Sequence, residues 1–249
     1  MPRYFALVEY DGSSYHGFQR QRAEQLTIQG EIERALACIV RRPVTVTGAG
    51  RTDSGVHALG QVVSFDVDWQ YRSLDLQRAL NANLPHDIAI LQLEITKPEF
   101  HPRFDARCRV YQYHIYNQPI RSPIRRLRSW HVTRSLDMSL MDAAAQSLIG
   151  VHDFATFGTP PQGDNTVREV FAAHWREQHD GLLIFEIAAN AFLYRMVRSI
   201  VGSLKLVGDG SWSVDEFVTV FRACDRDRCG AAAPAHGLYL VSIEYNENL

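Results

Sequence analysis

The stretch from Gly48 to Val67 reads GAGRTDSGVHALGQVVSFDV and joins a polar, glycine-rich segment to a strand pattern. Residues 48–61 contain four glycines together with Arg51, Asp53 and His57, and they show no apolar periodicity. Glycine permits backbone conformations that other residues avoid, so this cluster predicts a loop. The six residues that follow alternate in polarity, which predicts a strand. We therefore expect the Asp53 carboxylate to lie in a rigid turn at the entrance of a strand.

The residues of this loop also admit three other interpretations. In the first, Asp53 only accepts hydrogen bonds from neighbouring amides in a turn, and the composition of the loop does not exclude this interpretation. An aspartic protease needs two carboxylates that share a proton, and the chain has no second Asp-Ser/Thr-Gly triplet. A phosphate-binding loop would end in Gly-Lys-Ser/Thr, which is absent between Gly48 and Gly55. The last two interpretations are disfavoured.

The composition is that of an ordinary globular protein. The chain has 249 residues, of which 46% are apolar and 22% are charged. No apolar run reaches the roughly eighteen residues of a membrane span, and the first residues resemble a strand rather than a signal peptide. The four cysteines form no Cys-x-x-Cys pair, so neither a zinc site nor a disulfide framework is indicated. We expect a cytosolic protein without a membrane segment or a bound metal.

Positive charge is concentrated in one segment, although the formal net charge is −2. Between Arg103 and Arg134 there are eight arginines and one acidic residue, Asp105. Binding to phosphates depends on such local patches rather than on the total charge. The chain uses arginine rather than lysine almost throughout, which accounts for the basic residues of this segment being arginines. It does not account for the scarcity of acidic residues between Arg103 and Arg134.

The periodicity of apolar residues predicts two halves with a similar order of elements. Strands are predicted at Tyr4–Tyr10, Val44–Thr47, Val62–Val67, Ile88–Ile95, Arg109–Tyr116, Val167–Trp175, Leu182–Ala189 and Leu238–Tyr245. Helices are predicted at Thr27–Val40, after Ser73, at Ser135–Leu148, around Phe192–Leu204 and after Ser213. The order predicts an α+β fold of two ferredoxin-like (βαββαβ) halves, joined into one extended, mainly antiparallel sheet with a central active-site cleft.

The proline-rich segment from Lys97 to Phe104 is the natural linker between the halves. We place the boundary there, with residues 1–103 carrying the Asp53 loop and residues 104–249 forming the second half. Within the second half, Arg195 and Arg198 are expected to share a helix face because they are three residues apart. Ser73 and Ser213 are expected to cap helices at their N-termini, the latter in a capping box.

The full string GRTDSGVHA, followed by GQVVSF, resembles the signature of the TruA-type tRNA pseudouridine synthases. The strand RVYQY from Arg109 to Tyr113 and the segment MVRSIVG from Met196 to Gly202 resemble further motifs of that family. The resemblance extends from Tyr4 to Tyr245. Ser54 is a departure, since the family more often has Ala there, and we expect it to leave the chemistry unchanged.

The resemblance implies a role for each of five residues. Asp53 corresponds to the catalytic aspartate, which acts as a nucleophile or as the base that begins glycal formation. Tyr111 would stack on the target uracil or accept a proton. Arg198 would pair with Asp53 and keep it ionised. Arg51 would contact phosphate or fill the space left by the extruded nucleotide, and Leu238 would line the uracil pocket.

The implied function is isomerisation of uridine to pseudouridine in the tRNA anticodon stem-loop at positions 38–40, without cofactor or metal. The resemblance also implies a homodimer whose partner subunit helps to hold the tRNA. Two other classes of function stay open on the residues. A non-catalytic RNA-binding module would explain the arginines but not Asp53, and a small-molecule enzyme would leave the arginine segment without a role.

Overall fold

The computed structural model describes residues 1–21 and 25–246, and it divides into two compact units. In chain order the elements are β1 (Arg3–Tyr10), α1 (Ile28–Val40), β2 (Thr47–Gly48), β3 (His57–Asp66), α2 (Ser73–Asn83), β4 (Ile88–Thr96), β5 (Cys108–Asn117), β6 (Trp130–Val132), α3 (Met138–Gln146), β7 (Gly150–Asp153), β8 (Val167–Gln178), β9 (Leu182–Ala189), α4 (Met196–Gly208), α5 (Val214–Arg222) and β10 (Leu238–Glu244). Helices and mostly antiparallel strands in each unit confirm the α+β class.

The first unit comprises Met1–Arg107 and Tyr239–Leu249, of which residues 247–249 lie outside the described ranges. In its sheet, β1 lies between β3 and β4 and is antiparallel to both, and β2 pairs with β3. Helix α1 buries one apolar stripe completely, formed by Ile28, Ile32 and Leu36. The element order of residues 1–96 is therefore βαββαβ.

Strand β10 differs from the prediction, because nearly all of it belongs to the first unit rather than to the second half. It pairs with β3 in parallel, with Tyr239 opposite His57. A Cβ atom at Gly60 would lie 2.3 Å from the Val241 carbonyl oxygen, so the glycine allows the two strands to approach. A pairing between residues about 180 positions apart leaves no local signal in the sequence.

The second unit comprises Cys108–Leu238 and contains the strand order β5-β9-β8-β7, with all three pairs antiparallel and with β6 parallel to β5. The predicted β8–β9 hairpin is present. Its turn places Asp180 and Gly181 at φ values of 66° and 70°, the left-handed conformation expected for such a tight connection. The Phe157 ring stacks on two rings of α5, those of Phe217 and Phe221, at centroid distances of 5.8 and 5.5 Å.

Several predicted boundaries were wrong. Strand β3 begins at His57, so residues 57–61 are strand and not loop, while β2 is only two residues long. Helix α4 begins at Met196, four residues later than predicted, and the short strands β6 and β7 were not predicted. Short strands bury too few residues to show an alternation, and the glycines of residues 48–61 concealed the start of β3.

The two predicted serine caps had different outcomes. Ser213 accepts a 3.1 Å hydrogen bond from Glu216 N–H, and the Glu216 carboxylate accepts one from Ser213 N–H, so the capping box is confirmed. Ser73 instead is the first residue of α2, where Arg72 occupies the N-cap position and its side chain makes no capping hydrogen bond. The prediction for Ser73 was wrong by one residue.

This difference gives a matched pair of substitutions. We expect Ser213→Ala to lower the free energy of unfolding by about 1 kcal/mol, because it removes a cap. Ser73→Ala removes no capping bond and should change stability by less than about 0.5 kcal/mol. Urea unfolding followed by circular dichroism measures both values, and equal effects of the two substitutions would contradict this account of the caps.

Candidate active site

Asp53 lies between β2 and β3, and the residue before it is fixed by buried hydrogen bonds. The Thr52 hydroxyl lies 2.7 Å from the phenol oxygen of Tyr10, and its carbonyl accepts a 3.1 Å hydrogen bond from Phe18 N–H. Burial raises the pKa of Tyr10 to about 12, so this phenol stays protonated at neutral pH. The half-buried Asp53 side chain therefore projects from an anchored backbone.

The loop backbone also lies against a second loop, at Gly17. This glycine has a φ of +90°, and a Cβ atom there would lie 2.7 Å from the Thr52 carbonyl oxygen and 3.3 Å from the Asp53 carbonyl carbon. Any other residue would separate the two segments. The Asp53 carbonyl accepts a 3.1 Å hydrogen bond from Val56 N–H. This bond closes a turn in which Gly55 has a φ of +79°.

Ser54 adds a tether that an alanine could not provide. Its hydroxyl donates a 3.0 Å hydrogen bond to the carbonyl oxygen of Tyr15. The sequence predicted that this departure from the family pattern leaves the chemistry unchanged. The structure places the hydroxyl against the neighbouring loop, where it helps to hold the segment that carries Asp53.

Arg51 lies between two fixed residues. The Gln61 side chain donates to the Gly50 carbonyl at 2.9 Å and accepts from Gly50 N–H at 3.3 Å, and Thr52 is held as described above. The Arg51 side chain is exposed. The sequence did not single out Gln61 or Tyr10, because their roles depend on contacts between distant parts of the chain.

In the second unit, Tyr111 and Tyr113 lie on the same side of β5, in different surroundings. Tyr113 is fully buried, and its hydroxyl donates a 2.8 Å hydrogen bond to the Pro234 carbonyl. Burial raises the pKa of this phenol above its ordinary value. Tyr111 is half-buried, and its ring meets the Phe192 ring edge-on at a centroid distance of 4.9 Å. Of the two rings, Tyr111 is the one that retains an accessible surface.

Arg198 lies in the first turn of α4 and is held by the segment before β10. Its Nε donates a 2.7 Å hydrogen bond to the Ala233 carbonyl, and Ala233 N–H donates to the Arg198 carbonyl at 2.9 Å. The guanidinium charge contributes to lowering the pKa of His236, although burial is the larger cause. A cation beside the N-terminus of a helix produces a region of positive potential that favours anions.

The prediction for Arg195 was wrong. This residue is not in the helix with Arg198 but precedes it as the N-cap, in the left-handed conformation with a φ of 62°. Its guanidinium lies 5.1 Å from the centroid of the Tyr194 ring. The two arginines therefore do not share a helix face.

Leu238 is the first residue of β10 and is 7% exposed. Next to it, Gly237 is closely packed, since a Cβ atom there would lie 2.7 Å from the Tyr113 ring. The structure thus places Arg51 and Asp53 in the first unit and Tyr111, Arg198 and Leu238 in the second.

The arginine-rich segment is divided between the units. Arg103 and Arg107 belong to the first unit and the other six arginines to the second. Four of these six are exposed: Arg121, Arg126, Arg128 and Arg134. Arg125 instead lies over the Tyr116 ring at 5.5 Å, with its Nη2 4.0 Å from an Asp180 carboxylate oxygen.

The described residues include neither a metal-binding cluster nor a helix that could span a membrane. Across residues 1–21 and 25–246, no three His, Cys, Asp or Glu side chains are grouped so that they could hold a metal ion. Over the same ranges, no helix combines the length and the apolarity needed to cross a membrane.

Comparison with known proteins gives consistent matches. A family model described as tRNA pseudouridine synthase matches residues 6–105 and 144–246. A protein of Coxiella burnetii (strain Dugway 5J108-111) named tRNA pseudouridine synthase A is 43% identical over 251 aligned positions, which cover 100% of this chain and 95% of the relative.

Two other relatives carry the same name. That of Caulobacter vibrioides (strain NA1000 / CB15N) is 42% identical, with 99% of this chain and 100% of the relative aligned. That of Methylacidiphilum infernorum (isolate V4) is 42% identical, with 97% and 95% aligned. The similarity covers the Asp53 loop and all other predicted site residues.

The contact at Gly17 can be tested against a glycine that lacks it. Gly210 has a φ of +75° but would meet nothing within 4 Å, so Gly210→Ala should cost only the left-handed conformation, about 1–2 kcal/mol. Gly17→Ala should cost at least about 1 kcal/mol more, because the new methyl group collides with the Thr52 carbonyl. Urea unfolding measures the difference, and equal costs would show that the close approach of the two loops is unimportant.

Proposed function

Because the chain belongs to the tRNA pseudouridine synthase family, its activity is an isomerisation, and we propose that Asp53 performs it on uridines of the tRNA anticodon stem-loop. The observation that carries this proposal is the fixed position of the Asp53 backbone in a chain that matches its relatives over nearly the whole length. An anchored carboxylate needs no reorganisation when the substrate arrives.

The reaction determines which groups are needed. The bond between ribose C1′ and uracil N1 breaks, the base turns, and a bond forms between C1′ and C5. The C5 proton is lost and N1 gains a proton, so the product is an isomer and no electron acceptor is required. One ionised carboxylate is sufficient, acting either as a nucleophile or as the base that begins glycal formation.

The proposed partners of Asp53 come from the second unit. Arg198 would keep the carboxylate ionised, since an adjacent positive charge favours the charged form. Its fixed hydrogen bond to Ala233 supports this role, because a positioned charge acts more strongly than a mobile one. Tyr111 would lie against the uracil ring, with Leu238 completing an apolar pocket.

We also propose that each half is ferredoxin-like. The βαββαβ order of residues 1–96 supports this for the first half. Family membership supports a homodimer and positions 38–40 as the modified sites. Since tRNA is the substrate, the location that we propose is the cytoplasm.

The arginine-rich segment would hold the phosphates of the tRNA. Extruding a nucleotide costs a few kcal/mol, which phosphate contacts can offset. The exposed side chains Arg121 and Arg126 lie in a segment that contains no acidic residue, which favours contact with a polyanion. Arg51, which is exposed beside Asp53, would contact phosphate or fill the vacated space.

The role of Asp53 is tested by tritium release from tRNA that carries C5-tritiated uridine. We expect Asp53→Asn, which keeps the size and removes the charge, to slow release by about 10²–10⁴-fold. The matched control is Asp68→Asn, an exposed aspartate of the same unit, which should release tritium at the wild-type rate. Equal release from wild type and Asp53→Asn would exclude a catalytic role for Asp53.

The role of the arginine-rich segment is tested by the salt dependence of tRNA binding. We expect the double variant Arg121→Ala and Arg126→Ala to reduce the slope of log affinity against log salt by about 1–2. Arg72→Ala should leave the slope unchanged, because Arg72 is paired with Asp75 at 3.0 Å on an exposed helix end. Fluorescence anisotropy from 50 to 200 mM salt gives the slopes, and identical slopes would remove this segment from the tRNA interface.

A further inference from the structure

Phe104 is an exposed aromatic side chain on a rigid turn of the first unit. It is 74% exposed, although burying a phenylalanine is worth about 1.5–3 kcal/mol. Single exposed apolar residues are common, and Tyr71, which is 71% exposed, is another in the same unit. What distinguishes Phe104 is the structure around it.

The turn that carries Phe104 is closed by reciprocal hydrogen bonds. His101 N–H donates to the Asp105 carboxylate at 2.8 Å, and Asp105 N–H donates to the His101 carbonyl at 3.1 Å. The His101 Nδ1 accepts from the N–H groups of Arg103 and Phe104 at 3.2 and 3.3 Å. The Phe104 ring lies on the His101 ring, with 4.2 Å between centroids and an angle of 32°. The ring is therefore held in one place before any ligand arrives.

The turn is also attached to the core of the first unit. Phe100 is 3% exposed and contacts the rings of Phe5 and Tyr245 at centroid distances of 5.9 and 5.3 Å. The Tyr245 hydroxyl donates a 2.8 Å hydrogen bond to the Pro102 carbonyl. Because the turn is attached to the core in this way, the exposed Phe104 ring loses little conformational freedom when it binds a ligand.

A groove of about 490 Å³ borders the ring. Its lining comprises Thr96, Lys97, Glu99, Phe100, Phe104, Asp105, Ala106, Arg107, Tyr245 and Asn246. Two cations, Lys97 and Arg107, lie along it, and the Arg103 guanidinium is 5.7 Å from the centroid of the Phe104 ring. Of the two acids in the lining, Asp105 is committed to the hydrogen bond that closes the turn.

We propose that Phe104 is a stacking platform for an unpaired base of the substrate RNA, at a subsite additional to the one that holds the target uridine. A fixed aromatic ring bordered by cations matches the two parts of a nucleotide, since the base stacks on the ring while its phosphate contacts Lys97 or Arg107. The groove provides room for the nucleotide beside the ring. This inference depends on the proposed function only in taking RNA as the ligand.

The test measures the affinity of the full-length chain for labelled tRNA by fluorescence anisotropy. We expect Phe104→Ala to weaken binding about 5- to 150-fold, the range found when a base loses its aromatic partner. Phe104→Trp should bind within about threefold of wild type, because stacking depends on the π face and not on the exact ring. Phe104→Leu, which remains apolar but has no π face, should be weakened like Phe104→Ala.

Tyr71→Ala is the matched control, because it removes an equally exposed ring that contacts Trp69 at a centroid distance of 5.2 Å. Binding by Tyr71→Ala should equal that of wild type. The proposal is overturned if Phe104→Ala or Phe104→Leu binds as wild type does, or if Tyr71→Ala loses as much affinity as Phe104→Ala. It is also overturned if Phe104→Ala changes the mass in sedimentation while leaving tRNA affinity unchanged, since the ring would then contact a second copy of the chain.

The tritium assay separates this inference from the proposed function. Release by wild type, together with unchanged tRNA binding by Phe104→Ala, would overturn the platform alone. Absence of release by wild type, together with tRNA binding that depends on Phe104 and is restored in Phe104→Trp, would support the platform and overturn the proposed catalytic function.

Discussion

The contact between the Gly17 backbone and the Thr52 carbonyl is the constraint on which the candidate site depends. It places two loops closer together than any side chain at position 17 would permit. Phe18 N–H, next to Gly17 in the chain, donates a hydrogen bond to the same Thr52 carbonyl, and this bond could not form if the loops were separated. The position of Asp53 therefore depends on the lack of a side chain at position 17 as much as on the side chains that the neighbouring residues carry.

Main-chain contacts also position Arg198, the charged residue of the second unit that we propose for the site. Arg198 is held by a backbone carbonyl, that of Ala233. Backbone groups hold their dipoles in a fixed direction, so the charge that they position is available without reorganisation. Both proposed catalytic charges are thus supported by main chain in their own units.

Much of the fold could be predicted from the sequence, because long elements with one buried face leave a periodic pattern. Helix α1 and strand β9 were predicted to within a residue, since apolar residues recur on them at regular intervals. Strands β6 and β7 are too short for such a pattern. The pairing of β10 with β3 could not be predicted, because it joins distant residues whose only local sign is a glycine at position 60.

For the site, the motif around Asp53 was specific enough to indicate the family, which the comparisons confirmed. The supporting residues could not be found in this way. Gln61 holds Gly50, and the Tyr15 carbonyl accepts from Ser54, through pairings that exist only once the chain has folded. Arg195 was misplaced for a related reason, since three-residue spacing says nothing about which residue begins a helix.

The return of the chain to β3 has a consequence for synthesis on the ribosome. Residues 1–107 emerge first, yet the edge of β3 near His57 and Ala58 meets its partner, β10, only after the whole second unit has been made. Until then the strand that carries the Asp53 loop has exposed backbone groups at that edge, where other chains could pair. Residues translated after the second unit thus complete the first unit, so a chain released before β10 has been made would leave the strand that follows the Asp53 loop unprotected at this edge.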